Sequence, residues 1–311
     1  EMPGDPGYSV YVWIDALSNY VTALGYPPVS GVGAGLYGKF WPADAHLIGK
    51  DILWFHAVYW PCILMALDIP LPRTVFAHGW WTNRGRKMSK SLGNFISGNK
   101  IEEICRLFSA DYFRYFLLRA VKFGEDGNFS PDKLLDIYNT ELANGIGNLL
   151  SRTVRMLERY CDGQIKNAPE TGAGKEVVET GRRLISEASG HMEDFAFQPY
   201  LDNIIRLEAA VNRYIEQTRP FEMAKKPGRQ SELSSILSIC AEAVRIILVF
   251  LQPVMPSKAA AALDVLQVDE AGRGLGTGWG GYGWTIPVAK KAPLFPKIKA
   301  IGELFPEDNT D

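Results

Sequence analysis

Arg84, Arg86, Lys87 and Lys90 place four cations within seven positions, and Gly85 and Gly93 stand among and after them. The segment Lys87-Met88-Ser89-Lys90-Ser91 therefore reads as a cationic loop. Such a loop suits a polyphosphate whose charge rises in a transition state, because positioned charge acts most strongly where charge develops. Charge alone would favour a solvated basic turn. Two further patterns could carry chemistry. Ile52, His56 and Trp60 are four apart and share one face of a helix, although aromatic stripes are usually core. Asn148 and Arg152 are four apart on the polar face of a helix backed by Leu149, Leu150 and Leu157, with Arg155 and Arg159 beyond. A solvated face would look the same.

The elements that must position these residues follow from periodicity. Tyr8 to Ile14 alternates like a strand, with Val10, Val12 and Ile14 on one face. Ala45 to Ile48 and Thr74 to Trp80 are two more short apolar runs near glycines, and the first two runs are followed by helical patterns. That rhythm predicts an α/β doubly wound parallel sheet, and such sheets bind ligands at the carboxyl ends of their strands. Asp51 stands where a helix N-cap would. From about residue 136 the period becomes helical: Leu142, Ile146, Leu149 and Leu150 mark one face, and Leu233 to Leu251 mark another that stops at Pro253. This predicts an all-α bundle of four or five helices. Gly272 to Gly283 reads as a loop or hairpin, and Trp279, Tyr282 and Trp284 suggest a packed tail.

Composition sets the limits. A chain of 311 residues, 47% hydrophobic and 22% charged, can bury a core and form more than one domain. With 33 Lys+Arg against 35 Asp+Glu the net charge is −2, which excludes nucleic-acid binding by bulk charge but leaves a local basic patch open. An aromatic content of 12% argues against disorder. Cys62, Cys105, Cys161 and Cys240 form no Cys-x-x-Cys pair, so neither a zinc site nor a disulfide scaffold is expected. His46, His56, His78 and His191 lack the spacing of a helical metal site. Ile52 to Leu67 is short of the ~20 residues a bilayer span needs and reads as a buried helix. A cytoplasmic protein without a signal peptide or membrane contact is expected.

Lys87-Met88-Ser89-Lys90-Ser91 resembles the signature loop of class I aminoacyl-tRNA synthetases. Val12-Trp13-Ile14-Asp15-Ala16-Leu17-Ser18-Asn19-Tyr20 resembles the segment of methionyl-tRNA synthetases that forms part of the methionine pocket. His46-Leu47-Ile48-Gly49-Lys50-Asp51-Ile52, with Phe55-His56 and Trp60-Pro61, is similar to that family's next motif. Ala77-His78-Gly79-Trp80 leads into the signature loop as it does there, and Asn148-Leu149-Leu150-Ser151-Arg152 resembles the anticodon-reading helix.

The resemblance implies ATP-dependent ligation of L-methionine to methionine tRNA through methionyl-adenylate, with Mg²⁺ arriving with ATP. It implies a methionine pocket of Trp13, Ala16, Tyr20, Ile52, His56 and Trp60. The Tyr20 hydroxyl would point at the sulfur, and a neutral His56 would donate to the ligand or to Tyr20. A thioether suits aromatic walls, since sulfur–ring contacts contribute ~0.3–1.5 kcal/mol. ATP would meet Gly49, Asp51, His78, Gly79, Lys87, Met88, Ser89, Lys90 and Ser91, with Lys87 and Lys90 as the catalytic cations. Asn148 and Arg152 would read the anticodon, joined by Phe221, which stands where the family usually has a stacking Trp.

The implied organisation is a Rossmann-type catalytic part over 1–97, a connecting stem-contact region over 98–135, an anticodon-binding bundle over 136–268 and a tail over 269–311. The family's His-x-Gly-His string does not occur in the sequence. The chain is thus expected to be the C-terminal portion of the enzyme, partnered by an N-terminal half and inactive alone. Another class I synthetase specificity, or a non-catalytic tRNA-binding module, are the other readings.

Overall fold

The computed structural model describes residues 4, 5, 7, 8, 11–27, 34–83, 85–88, 94–162, 174–280, 282, 284, 294–299 and 301. The chain divides into two compact units, one of Glu1–Trp80 with Gly124–Asp126 and one of Trp81–Phe123 with Gly127–Asp311.

The first unit holds α1 (Trp13–Thr22), α2 (Ala34–Phe40), β1 (His46–Gly49), a composite helix and β2 (Val75–His78). β1 and β2 pair in parallel, His46 opposite Val75 and Gly49 opposite His78. A parallel pair needs a crossover, which the composite helix supplies. It runs as a 3-10 turn (Lys50–Ile52), a π-helical segment (Phe55–Tyr59) and α3 (Trp60–Ala66). Pro61 explains the wide turn: it has no N–H to give the carbonyl four residues back, and its ring crowds that carbonyl. The small core consists of Leu17, Val21, Trp41, Trp60, Leu64 and Ile69.

Three expectations change here. Trp13 and Ile14 are helical, not the end of a strand. The alternation of Val10, Val12 and Ile14 is outweighed by Leu17 and Val21, which bury the helix at four-residue spacing. Asp51 lies inside the 3-10 turn, whose N-cap is Gly49 and has no side-chain cap bond. The run Ile52 to Leu67 buries one side only, since Leu53, Trp54, Tyr59 and Met65 are exposed.

The second unit is mostly helical. A three-stranded sheet of β3 (Trp81–Asn83), β4 (Arg86–Lys87) and β5 (Gly127–Phe129) has β3 in the middle, antiparallel to β4 and parallel to β5. The helices are α4 (Gly98–Phe108), α5 (Ala110–Arg119), α6 (Pro131–Ile137), a π-helical segment (Tyr138–Ile146), α7 (Gly147–Cys161), α8 (Lys175–Glu193), α9 (Phe197–Thr218), α10 (Pro220–Met223), α11 (Gln230–Leu251) and α12 (Pro256–Val265). Ser97, Ser109 and Ser130 cap α4, α5 and α6 by accepting backbone N–H bonds. α11 is long and apolar enough to cross a membrane, yet 94% of that window is buried against its neighbours, so it is the core helix. Trp279, Tyr282 and Trp284 are buried against the same core. The Trp279 ring occupies the space that a Cβ at Gly181 of α8 would need.

Candidate functional site

In the first unit, Trp13, Ala16 and Tyr20 project from one face of α1, three and four residues apart. Trp13 stacks on Phe55, centroids 3.9 Å apart and planes within 6°. The Tyr20 ring lies 4.3 Å from the His46 ring and 6.0 Å from that of Trp60. Its hydroxyl is 2.9 Å from Nε2 of His56.

The other side of the imidazole fixes the proton positions. Nδ1 of His56 is 3.0 Å from the carbonyl of Ile52. A carbonyl only accepts, so Nδ1 carries the hydrogen, and in the neutral ring Nε2 then accepts from Tyr20. A neutral His56 thus donates to the backbone, whereas the expectation had it donating to the ligand or to Tyr20. Buried Trp60 likewise donates its Nε1–H to Nε2 of His46, at 3.1 Å. That bond takes the neutral form of His46, whose pKa is held below the ordinary value by burial and then by the neighbouring His56. Burial raises the pKa of Tyr20, which keeps its hydroxyl protonated.

Trp13, Tyr20, His56 and Trp60 are thus brought together. Ile52 adds a half-buried side chain and the carbonyl that sets the His56 tautomer, while Ala16 is exposed beside Trp13 and Tyr20. The result is an aromatic cluster, half-buried at Trp13 and Tyr20 and buried at His56 and Trp60, whose polar groups hold one another in place. It can accept an uncharged, polarisable side chain.

Gly49 and His78 end the two parallel strands opposite each other. A Cβ on Gly49 would sit 2.6 Å from Oδ1 of Asp51, and one on Gly79 would sit 2.3 Å from the backbone oxygen of Glu125. Gly79 needs glycine, because backbone crowds it, whereas the exposed Asp51 side chain beside Gly49 can swing away. Nδ1 of His78 donates to the carbonyl of Gly79 at 2.9 Å. Asp51 is exposed, with its Oδ1 3.4 Å from Nε1 of Trp80.

Two residues at this edge escaped the sequence reading. Lys50 donates to both oxygens of Asp126, at 2.7 and 2.6 Å, and Trp80 donates its backbone N–H to the same carboxylate at 2.9 Å. The Lys50 hydrogen bond, then that of Trp80, lowers the Asp126 pKa. The Lys50 ammonium also lies 4.5 Å from the Trp80 ring centroid. The available signals were a lysine between Gly49 and Asp51 and an acid in the Gly124–Gly127 turn.

In the second unit, Lys87 is exposed on β4 and Met88 is half-buried against the core. Asn94 donates to the Lys87 carbonyl at 3.1 Å, and Asn83 donates to the Asn94 carbonyl at 3.0 Å. Two side-chain amides thereby clamp the base of the loop. Ser89, Lys90 and Ser91 lie outside the described residues. Asn148 is exposed on α7, Arg152 is half-buried with Nη1 3.2 Å from Oδ1 of Asn212, and Phe221 is 44% exposed on α10. Among the described residues, no three His, Cys, Asp or Glu side chains could hold a metal ion.

Comparison with known proteins bears on both units. The family model described as "tRNA synthetases class I (M)" matches residues 1–154. The methionine–tRNA ligase of Oceanobacillus iheyensis is 40% identical over 96% of the chain, and that of Bacillus subtilis is 40% identical over 98%. The chain spans 44% and 46% of the lengths of these two curated relatives. A Mycobacterium tuberculosis methionyl-tRNA synthetase in complex with methionyl-adenylate superposes with a TM-score of 0.84 at 36% identity, over 95% of this chain and 58% of that one. The apo form from the same organism gives 0.81 at 33% identity, over 96% and 58%.

Proposed function

The chain belongs to the methionyl-tRNA synthetase family, with that class I fold, and from that premise we propose that it serves the ATP-dependent ligation of L-methionine to methionine tRNA. The observation that carries the proposal is the convergence of the Trp13, Tyr20 and Trp60 rings on the imidazoles of His46 and His56. A methionine side chain is unbranched, uncharged and polarisable, and aromatic edges favour its sulfur. A cationic or acidic side chain would find no counter-charge there.

The proposed chemistry needs no protein nucleophile. The methionine carboxylate attacks the α-phosphate of ATP, the bond to the β-phosphate side breaks, and pyrophosphate leaves. The methionyl group then passes from the adenylate to a hydroxyl of the terminal adenosine of the tRNA. The chain's own contribution is position and charge. Gly49 and Gly79 border the nucleotide at the strand ends, and Asp51 offers a carboxylate to two ribose hydroxyls. His78 shapes the same edge. Lys87 and Lys90 stabilise the departing pyrophosphate, with Met88, Ser89 and Ser91 completing the loop. ATP enters as its magnesium complex, as substrate.

We read 136–268 as the bundle that meets the anticodon, through Asn148, Arg152 and Phe221, and 98–135 as the stem-side connection. An N-terminal half bearing a His-x-Gly-His string is the partner this chemistry calls for, so the 311-residue chain alone is proposed to be inactive. Cys62, Cys105, Cys161 and Cys240 form no disulfide, which suits the reducing, cytoplasmic setting of this reading.

The test is amino-acid-dependent exchange of pyrophosphate into ATP by the polypeptide as its gene encodes it. Methionine alone among Met, Leu, Ile, Val and Cys is expected to support exchange. Exchange driven by one of the others would assign a different class I specificity. Failure with all five, with tRNA binding retained, would indicate a binding module.

A further inference from the structure

Arg152 is held by a neutral group, although a carboxylate stands one step behind it. On α9, Glu208 and Asn212 are one turn apart and face each other. Asn212 accepts from Nη1 of Arg152 through Oδ1, at 3.2 Å, and donates through Nδ2 to Oε1 of Glu208. Both ends of the amide are thus engaged, which fixes its flip. All three side chains are half-buried. Gly145, in the π-helical segment before α7, stands beside this relay: a Cβ there would lie 3.6 Å from Oε1 of Glu208.

The choice of an amide matters. A carboxylate at position 212 would orient the guanidinium equally well but would offset its charge at short range, where ion pairing is strongest. An amide orients Arg152 through a dipole, engages one of its five N–H donors and leaves the charge available. A guanidinium held this way is arranged for an electron-rich partner arriving from outside.

We propose that Asn212, backed by Glu208, is a positioning residue for RNA recognition, presenting the Arg152 guanidinium in one orientation with its charge uncompensated to a base of a single-stranded RNA loop. The inference rests on the reading of α7 as an RNA-facing helix. It assigns to Asn212 and Glu208 a part that a merely structural pair would not play.

The experiment uses the 311-residue chain and a synthetic RNA hairpin carrying the methionine anticodon, with a second hairpin of altered anticodon for comparison. Binding is followed by fluorescence anisotropy, and folding by circular dichroism and thermal melting. Arg152→Ala is expected to weaken binding to the cognate hairpin about tenfold. Asn212→Ala is expected to lose about threefold to tenfold and to narrow the difference between the two hairpins, because the charge remains but its orientation is lost. The double variant Asn212→Asp with Glu208→Gln keeps a bonded relay of reversed polarity. It is expected to melt at or above the parent temperature yet bind no better than Arg152→Ala. Full affinity in Asn212→Ala or in the double variant, with Arg152→Ala impaired, would overturn the positioning role. Full affinity in Arg152→Ala would overturn the RNA-facing reading of α7 itself, and the inference with it.

Discussion

The two units use their polar and aromatic side chains in different ways. On the core helix of the large unit they are consumed by the fold. Glu242 and Arg245 on α11 are 1% and 0% exposed and bonded to each other. Glu242 also accepts from the backbone N–H of Gly280 and from Nε1 of Trp284, and Arg245 donates to the carbonyls of Gly272 and Gly278. A buried ion pair repays its desolvation only when its remaining valences are met, and here they fasten a glycine-rich tail onto the core helix. In the small unit the comparable groups bond in pairs, Tyr20 with His56 and Trp60 with His46, and Trp60 belongs to the core of few residues. Half-buried Tyr20, with Trp13, carries the cluster to the surface. The lesson is that burial depth alone does not separate scaffold from site. What separates them is whether the bonds of a polar group fasten distant segments of the chain or run between the rings of a part-exposed aromatic cluster.

The contrast can be broken at its strongest point first. Glu242→Ala leaves the Arg245 guanidinium buried without its partner and is expected to destabilise the large unit by about 3–5 kcal/mol. Urea unfolding followed by circular dichroism reads this directly, and a loss below about 1 kcal/mol would mean that the pair is not what holds the tail. Arg152→Ala comes next, and it moves function instead of stability. In the gene-encoded polypeptide it is expected to cost about 1–3 kcal/mol in methionine tRNA charging while leaving pyrophosphate exchange, which uses no tRNA, unchanged. Equal losses on tRNAs with correct and altered anticodons would assign Arg152 to a phosphate contact.

The small unit responds to acid. The His46 pKa is depressed in the fold by burial and by His56, so its stabilising effect is complete above the unfolded histidine pKa of ~6.5 and is lost as pH falls toward the folded value. The unfolded chain takes up the proton first, so stability rises with pH across that window. Protonated Nε2 of His46 would face the donor N–H of Trp60, so tryptophan fluorescence of the chain is expected to change as pH drops below ~6.5. His46→Gln is expected to abolish that transition. Its persistence in the variant would assign it to a group other than His46.

Much of this arrangement was legible in the sequence. The spacing of Leu233 to Leu251 marks α11, and the apolar runs ending at Gly49 and near Gly79 mark the parallel pair. The identities of Trp13, Tyr20, His56 and Trp60 could be read from their motif strings. Their hydrogen bonds could not, because the direction of the Tyr20–His56 bond depends on the Ile52 carbonyl, which is placed by a 3-10 and π-helical crossover. Nor could α1 be separated from a strand at its start, where β-branched Val10, Val12 and Ile14 alternate. Asp126 was invisible for a different reason. It meets Lys50 across 76 positions of sequence, and only the close passage of residue 125 over Gly79 brings it there. The bond from Arg152 to Asn212 spans 60 positions and was hidden in the same way.

The central claim is that the aromatic face of the small unit selects the methionine side chain, and one substitution addresses it with the least disturbance. Tyr20→Phe removes the hydroxyl that bonds to Nε2 of His56 while keeping the ring against His46 and Trp60. A hydrogen bond of this kind contributes ~0.5–1.5 kcal/mol. The measurement is the ratio of kcat/KM for methionine over leucine in pyrophosphate exchange by the gene-encoded polypeptide, parent against variant. The ratio is expected to fall by about twofold to tenfold with little change in the KM for ATP. An unchanged ratio would make Tyr20 a packing residue and contradict the assignment of this surface as the methionine pocket.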